Sequence, residues 1–192
     1  MSTELVKLDI ANNKKGGNGW VCLDIEPNAD VILDLNEDPL PYENNSVDAI
    51  YSSHTLEHLW PDRLNFVLQE FYRVLKPNQP VRVAVPDMEL VIKAYTRKDQ
   101  EFLSKFAILA PGSFKTPLRY MISWAFSYFI DVDNIRKFGH VSAFDEETLA
   151  LALGSAGFKN IQRMKFNLCS NVFEGCDVEG HKETSLYMEA TK

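Results

Sequence analysis

The stretch from Val47 to Asp87 constrains the fold more than any other. It reads V-D-A-I-Y-S-S-H-T-L-E-H-L-W, an amphipathic segment, then L-K-P-N-Q-P-V-R-V-A-V-P-D. Val47–Tyr51 is a short, mostly apolar run with β-branched and aromatic residues, the pattern of a strand buried by helices on both faces. Polar Ser52, Ser53 and His54 close it. From Pro61 to Lys76 the apolar residues Leu64, Val67, Leu68, Phe71, Val74 and Leu75 recur at helical spacing. Pro61 suits the first helical turn, and Pro77 stops the pattern. Val81–Val85 is a second strand, closed by Pro86 and Asp87. Strand, crossover helix and strand within about 40 residues form a parallel unit, and open parallel sheets bind ligands at the carboxyl ends of their strands. Ser52–His54 and Pro86–Asp87 therefore fall on one ligand edge.

The rest of the chain extends this alternation. Leu5–Ile10, Val21–Ile25 and Val31–Leu35 are three short strands ahead of the unit, with the polar, glycine-bearing loop Ala11–Gly19 after the first. The loop's G-G-x-G fails the dinucleotide spacing G-x-G-x-x-G, so Gly16, Gly17 and Gly19 read as a surface turn. Residues 38–46 are all turn chemistry. After Asp87 about 55 residues precede Asp145, far more than an ordinary loop, so residues 88–140 are read as an insertion. It carries helical patterns over Met88–Tyr95, Asp99–Ala110 and Leu118–Ile130. The last is apolar on nearly every face, too short to span a bilayer, and must be covered by core, ligand or another subunit. Asp145 fits an N-cap with Phe144 and Leu149 as a hydrophobic staple, and Gly157 fits the end of that helix. Ile161–Leu168 and Ser185–Thr191 complete seven strands.

A chain of 192 residues with 45% apolar content can bury one core. A single domain over 1–192, with the insertion at about 88–140, is expected. The net charge of −7 argues against nucleic acid and anionic membrane as partners. Three cysteines form no disulfide framework, and no charged segment followed by an apolar one opens the chain, so a reducing cytoplasm is the default expectation. Cys169, Cys176 and His181 lack a C-x-x-C and a fourth ligand, so no metal is expected.

The words N-S-V-D-A-I-Y-S-S-H-T-L-E-H-L and F-Y-R-V-L-K-P, with S-A-F-D-E-E-T-L-A-L-A-L-G-S-A-G-F further on, resemble the class I S-adenosylmethionine-dependent methyltransferases of the type 11-like kind. They match that family's fourth strand with its following helix, and its fifth helix. The resemblance implies a Rossmann-like α/β sheet of seven strands, mostly parallel with the last antiparallel, and S-adenosylmethionine as cofactor. By the same resemblance Ala11, Asn12 and Asn13 hold the ligand loop after the first strand, and Asp24 with Ile25 meets a ribose. Asp34 accepts from the adenine amino group, Leu35 packs near the ring, and Ser53 borders the cofactor. The A-N-N loop departs from the family's glycine-rich one, because asparagine side chains fill space that glycine leaves open. Asp24 also reads as a plain strand terminator.

Methyl transfer from a sulfonium needs alignment, plus a base where the accepting atom must lose a proton. His54 is placed for that role, with His140 and Asp87 as alternatives. His54 equally reads as a residue that holds its loop, and His58 as structural. Three functions compete: a methyltransferase for a small-molecule or sugar-like acceptor, a catalytically silent relative used for binding or assembly, and a nicotinamide dehydrogenase. The missing fingerprint disfavours the third. Phe114, Tyr120, Trp124 and Phe126, with Arg119 and Arg136, suit the insertion either to an acceptor pocket over the ligand edge or to a homodimer contact.

Overall fold

The computed structural model describes residues 5–11, 19–106, 114–126 and 139–192. Seven strands form one sheet: β1 (Lys7–Ile10), β2 (Trp20–Asp24), β3 (Val31–Ile32), β4 (Ala49–Ser53), β5 (Pro80–Pro86), β6 (Lys159–Met164) and β7 (Ser185–Thr191). Their order is β3-β2-β1-β4-β5-β7-β6. All pairings are parallel except those that β7 makes with β5 and β6. This is the sheet expected from the sequence. The predicted parallel unit is present, with Ile50 opposite Val81 and Ser53 opposite Ala84.

Some strand bounds differ from the sequence reading. β4 continues through Ser52 and Ser53, because both take up ladder positions beside Val83 and Ala84. β3 stops at Ile32, where Asp34 begins a turn by accepting from the Asn36 N–H at 2.9 Å. β6 starts at Lys159 and ends at Met164, and Lys165–Leu168 closes into a turn through Leu168 N–H to Lys165 C=O at 3.1 Å.

Five α-helices are described: α1 (Pro61–Val74), α2 (Met88–Thr96), α3 (Gln100–Phe106), α4 (Pro117–Phe126) and α5 (Glu146–Ser155). Alternation along the strands sends Leu8, Ile50, Val81, Val83, Leu186 and Met188 into one core with Val67, Leu68 and Phe71 of α1 and Leu149 and Leu153 of α5. The opposite face carries Tyr51, Arg82, Tyr187 and Glu189. No described α-helix covers it, which corrects the expectation of helices on both faces of β4. Segment 165–184 lies there instead. Phe173 packs on Trp20 and Tyr51, and Asp177 and Glu189 pair with the fully buried Arg82. The reason is polar: Arg82 also donates to the Lys165 C=O at 3.1 Å, and Glu189 accepts from the Ser170 N–H at 3.1 Å. An irregular segment offers such backbone groups sideways, whereas a helix spends them internally.

The insertion leaves and rejoins the sheet at one point, where the Met88 N–H donates to the Phe144 C=O at 3.0 Å. α2, α3 and α4 share a small core of Val91, Ala94, Leu103 and Tyr120, separate from that of the sheet. α4 buries Tyr120 yet leaves Leu118 and Ile122 exposed, so its described part is not covered all round. α5 begins as expected: Asp145 accepts from the Thr148 N–H at 2.8 Å, with Phe144 and Leu149 buried. Gly157 ends that turn at φ +106°, and a Cβ there would stand 3.1 Å from the Tyr72 ring. No described helix is long and apolar enough to cross a membrane.

Candidate functional site

β1, β2 and β4 end side by side, and the chain's direction of winding reverses between β1 and β4. Ligands of open α/β sheets bind at such a reversal. A cleft of about 400 Å³ opens there, within the size range of small-ligand sites. Ala11, at the end of β1, sits at φ +57°, a left-handed conformation that glycine adopts without strain. The backbone thus turns as a glycine loop would, with a Cβ in place. Its N–H donates to the Leu23 C=O at 2.8 Å, which ties the ends of β1 and β2 together.

Asp24 and Ile25 line the cleft from β2, and Asp34 and Leu35 from the turn after β3. Asp24 is 9% exposed and its Oδ1 accepts from the Glu26 N–H at 3.2 Å. Asn12 and Asn13 lie outside the described residues, as do Gly16, Gly17 and Arg136. Ser53 is buried inside β4, one residue short of the cleft. Sequence reasoning missed Glu26, Asn28, Asn36, Thr55 and His58, all of which line it. Their signal was position alone, within five residues of a strand end. The described lining carries the carboxylates of Asp24, Glu26 and Asp34 and no lysine or arginine.

His54 caps β4 at φ +53°, held there by its own N–H donating to the Ala84 C=O at 2.8 Å. Its side chain lines the cleft, with Nε2 2.7 Å from Ser185 Oγ and Nδ1 3.2 Å from Glu57 Oε1. Its ring stacks on that of His181 at 3.7 Å. Burial, helped by His54, pushes His181 down to about 4, so that imidazole is neutral near pH 7. Glu57 is 1% exposed in the 3₁₀ turn Leu56–His58. Burial alone raises a carboxyl's pKa, but the facing His54, His58 and His140 outweigh it and hold Glu57 below its ordinary value. All four histidines of the chain gather around this one turn.

The other two catalytic candidates are placed differently. His140 stands beside Glu57 and edge-on to His58, ring centres 4.9 Å apart, in a crevice next to the cleft and not in its wall. Asp87 is fully buried at the start of α2. One oxygen accepts from the Glu89 N–H at 3.0 Å and the other from Arg163 at 2.7 Å. Both oxygens serve structure, and the cleft does not include them. No described residue of 88–140 lines the cleft either.

Sheet order, cleft position and the acidic residue ending β2 define a class I S-adenosylmethionine-dependent methyltransferase fold. Residues 4–82 match the family described as "Methyltransferase domain". Among solved structures, a SAM-dependent methyltransferase from Archaeoglobus fulgidus aligns at 18% identity over 98% of this chain and 86% of its own, with a TM-score of 0.56. A putative methyltransferase from Haloferax volcanii, solved with the Trm112 methyltransferase activator, aligns at 15% over 98% and 82%, with a TM-score of 0.53. A Burkholderia thailandensis 1,6-didemethyltoxoflavin-N1-methyltransferase with bound S-adenosylhomocysteine aligns at 14% over 97% and 70%, also at 0.53. No curated protein matches the sequence. The structural likeness spans nearly the whole chain and shows the fold, and the family match spans its N-terminal part.

Proposed function

We propose that the cleft binds S-adenosylmethionine and that the protein transfers its methyl group to a small-molecule or sugar-like acceptor. The observation that carries this reading is the sign of the cleft: three carboxylates, and no basic side chain among the described lining residues. Such a wall attracts a cofactor bearing a sulfonium and an ammonium and repels the diphosphate of a nicotinamide dinucleotide. When bound, S-adenosylmethionine supplies a methyl group already activated on sulfur.

Asp24 accepts from the ribose hydroxyls, and Asp34 from the adenine amino group. Leu23, Leu33, Leu35 and Leu59 provide apolar walls. Where the accepting atom carries a proton, His54 receives it. In the tautomer that donates from Nδ1 towards Glu57, Nε2 keeps its lone pair. His140 and Asp87 take no part in this step. The insertion, with Phe114 and Tyr120, is proposed to serve either the acceptor or a second copy of the chain.

A second reading, a silent relative used for binding, draws on Ala11, whose Cβ occupies a turn that glycine leaves open. Thermal unfolding with added S-adenosylhomocysteine separates the two. A ligand at 100 times its Kd stabilises by about 2.7 kcal/mol. A raised Tm supports methyl transfer, an unchanged Tm at millimolar ligand supports the silent reading, and a rise with NAD alone overturns both.

A further inference from the structure

We infer that Glu57, His58 and His140 form a binding site for one divalent first-row transition cation, of which Zn²⁺ is the test case. One ligand atom from each of the three lies within 4.8 Å of the others. Bonds of about 2.0–2.2 Å in a tetrahedral set put ligand atoms about 3.3–3.6 Å apart, so side-chain rotations that close the group by no more than about 1.5 Å would seat one ion. Two imidazoles and one carboxylate leave coordination positions for water or a ligand oxygen.

Three further features fit a cation. Glu57 is 1% exposed; His54 Nδ1 stands 3.2 Å from its Oε1, and its Oε2 has no hydrogen-bond partner among the described residues. A buried carboxylate left in that condition is costly unless a positive charge meets it. His58 Nδ1 lies 3.1 Å from the Gly139 C=O, a bond it makes by donating, which fixes the tautomer whose Nε2 holds the lone pair. Metal-binding histidines are oriented by this kind of backbone bond. The third ligand is held in place by backbone: the Val141 and Ser142 N–H groups both donate to the Glu57 C=O, at 2.8 and 3.1 Å, and Ser142 Oγ donates to the Leu59 C=O at 3.1 Å. The segment that brings in His140 is thereby stitched onto the turn that carries Glu57 and His58. Because His58 also lines the cleft, the ion lies beside the cofactor site.

The reading from sequence expects no metal, since it considers only Cys169, Cys176 and His181. His140 lies 82 positions beyond His58, and no local spacing joins them. The site does not depend on methyl transfer: a protein that binds Zn²⁺ but not S-adenosylhomocysteine upholds it and removes the earlier proposal.

The test uses full-length protein dialysed against EDTA and then against buffer. Zn²⁺ is titrated in competition with a chromophoric chelator, and Co²⁺ is added separately for its visible spectrum. One Zn²⁺ per chain is expected, with affinity reduced at least tenfold in Glu57→Gln and in His140→Ala. The Co²⁺ form should show d–d absorption with no thiolate-to-cobalt charge-transfer band. Far-UV circular dichroism confirms folding, and if Glu57→Gln does not fold, His140→Ala decides alone. Absence of stoichiometric binding overturns the site. So does parent affinity in the folded variants, or a thiolate band, which would move the metal to Cys169 and Cys176.

Discussion

Replacing Asp24 by alanine tests the cofactor cleft at its most buried carboxylate. The magnitude follows from how that carboxylate is already engaged. Oδ1 accepts from the Glu26 N–H at 3.2 Å, so a ribose is counted as gaining one full bond, to the other oxygen. A hydrogen bond to a charged group contributes about 1.5–3 kcal/mol, and each 1.4 kcal/mol is tenfold in affinity. S-adenosylhomocysteine should therefore bind about 12- to 140-fold more weakly. At a concentration of 100 times the parent's Kd, the stabilisation by ligand should fall from about 2.7 kcal/mol to between about 1.3 and 0.3 kcal/mol. Without ligand the variant should lose no more than about 1.5 kcal/mol, because the freed Glu26 N–H borders an open cleft that water can enter. Isothermal titration gives the affinity, and urea unfolding with and without ligand gives the two stabilities. If Asp24→Ala binds S-adenosylhomocysteine within twofold of the parent, the ribose does not sit at the end of β2 and the reasoning fails.

Two further predictions concern the scaffold. Arg82→Met leaves Asp177 and Glu189 buried without their cation, a change that costs about 3–5 kcal/mol in comparable sites. The lower end is expected, because Tyr51, Asn167 and Ser170 still donate to the two acids; a loss under 1 kcal/mol in urea unfolding would show that segment 165–184 is not anchored there. The second follows from Glu70, which Arg73 grips through both carboxylate oxygens, at 2.6 and 2.8 Å, while Arg73 also holds the Leu40 and Tyr42 carbonyls. That pairing lowers the Glu70 pKa on folding, so its contribution is complete above the unfolded value of about 4.3 and is lost as pH falls through the lower folded one. The stability difference between parent and Glu70→Gln should be constant from pH 7 to pH 5 and shrink below about pH 4; a difference that instead grows on acidification would reverse the sign of the argument.

What the sequence determined by itself was the alternation and its direction. The run Val47–Tyr51, the helical spacing after Pro61 and the run Val81–Val85 are local patterns, and burying them leaves few arrangements besides a parallel unit with its ligand edge after Ser53 and Pro86. Asp145 and Gly157 were legible for the same reason, since capping is decided within four or five residues. Asp24, Asp34 and Leu35 were placed at the cleft by the family resemblance, which sets them near the ends of the second and third strands that the pattern marks. Tertiary structure alone decided which partners meet. Arg82 reads as an interruption of an apolar strand until Asp177 and Glu189, 95 and 107 positions away, close over it. Asp87 reads as a candidate base at a strand end until Arg163, 76 positions away, claims its second oxygen. His58 reads as the structural half of H-T-L-E-H until the insertion returns His140 to its ring. Such contacts depend on where the sheet and the insertion bring distant backbone together, and no periodicity in the chain encodes that distance.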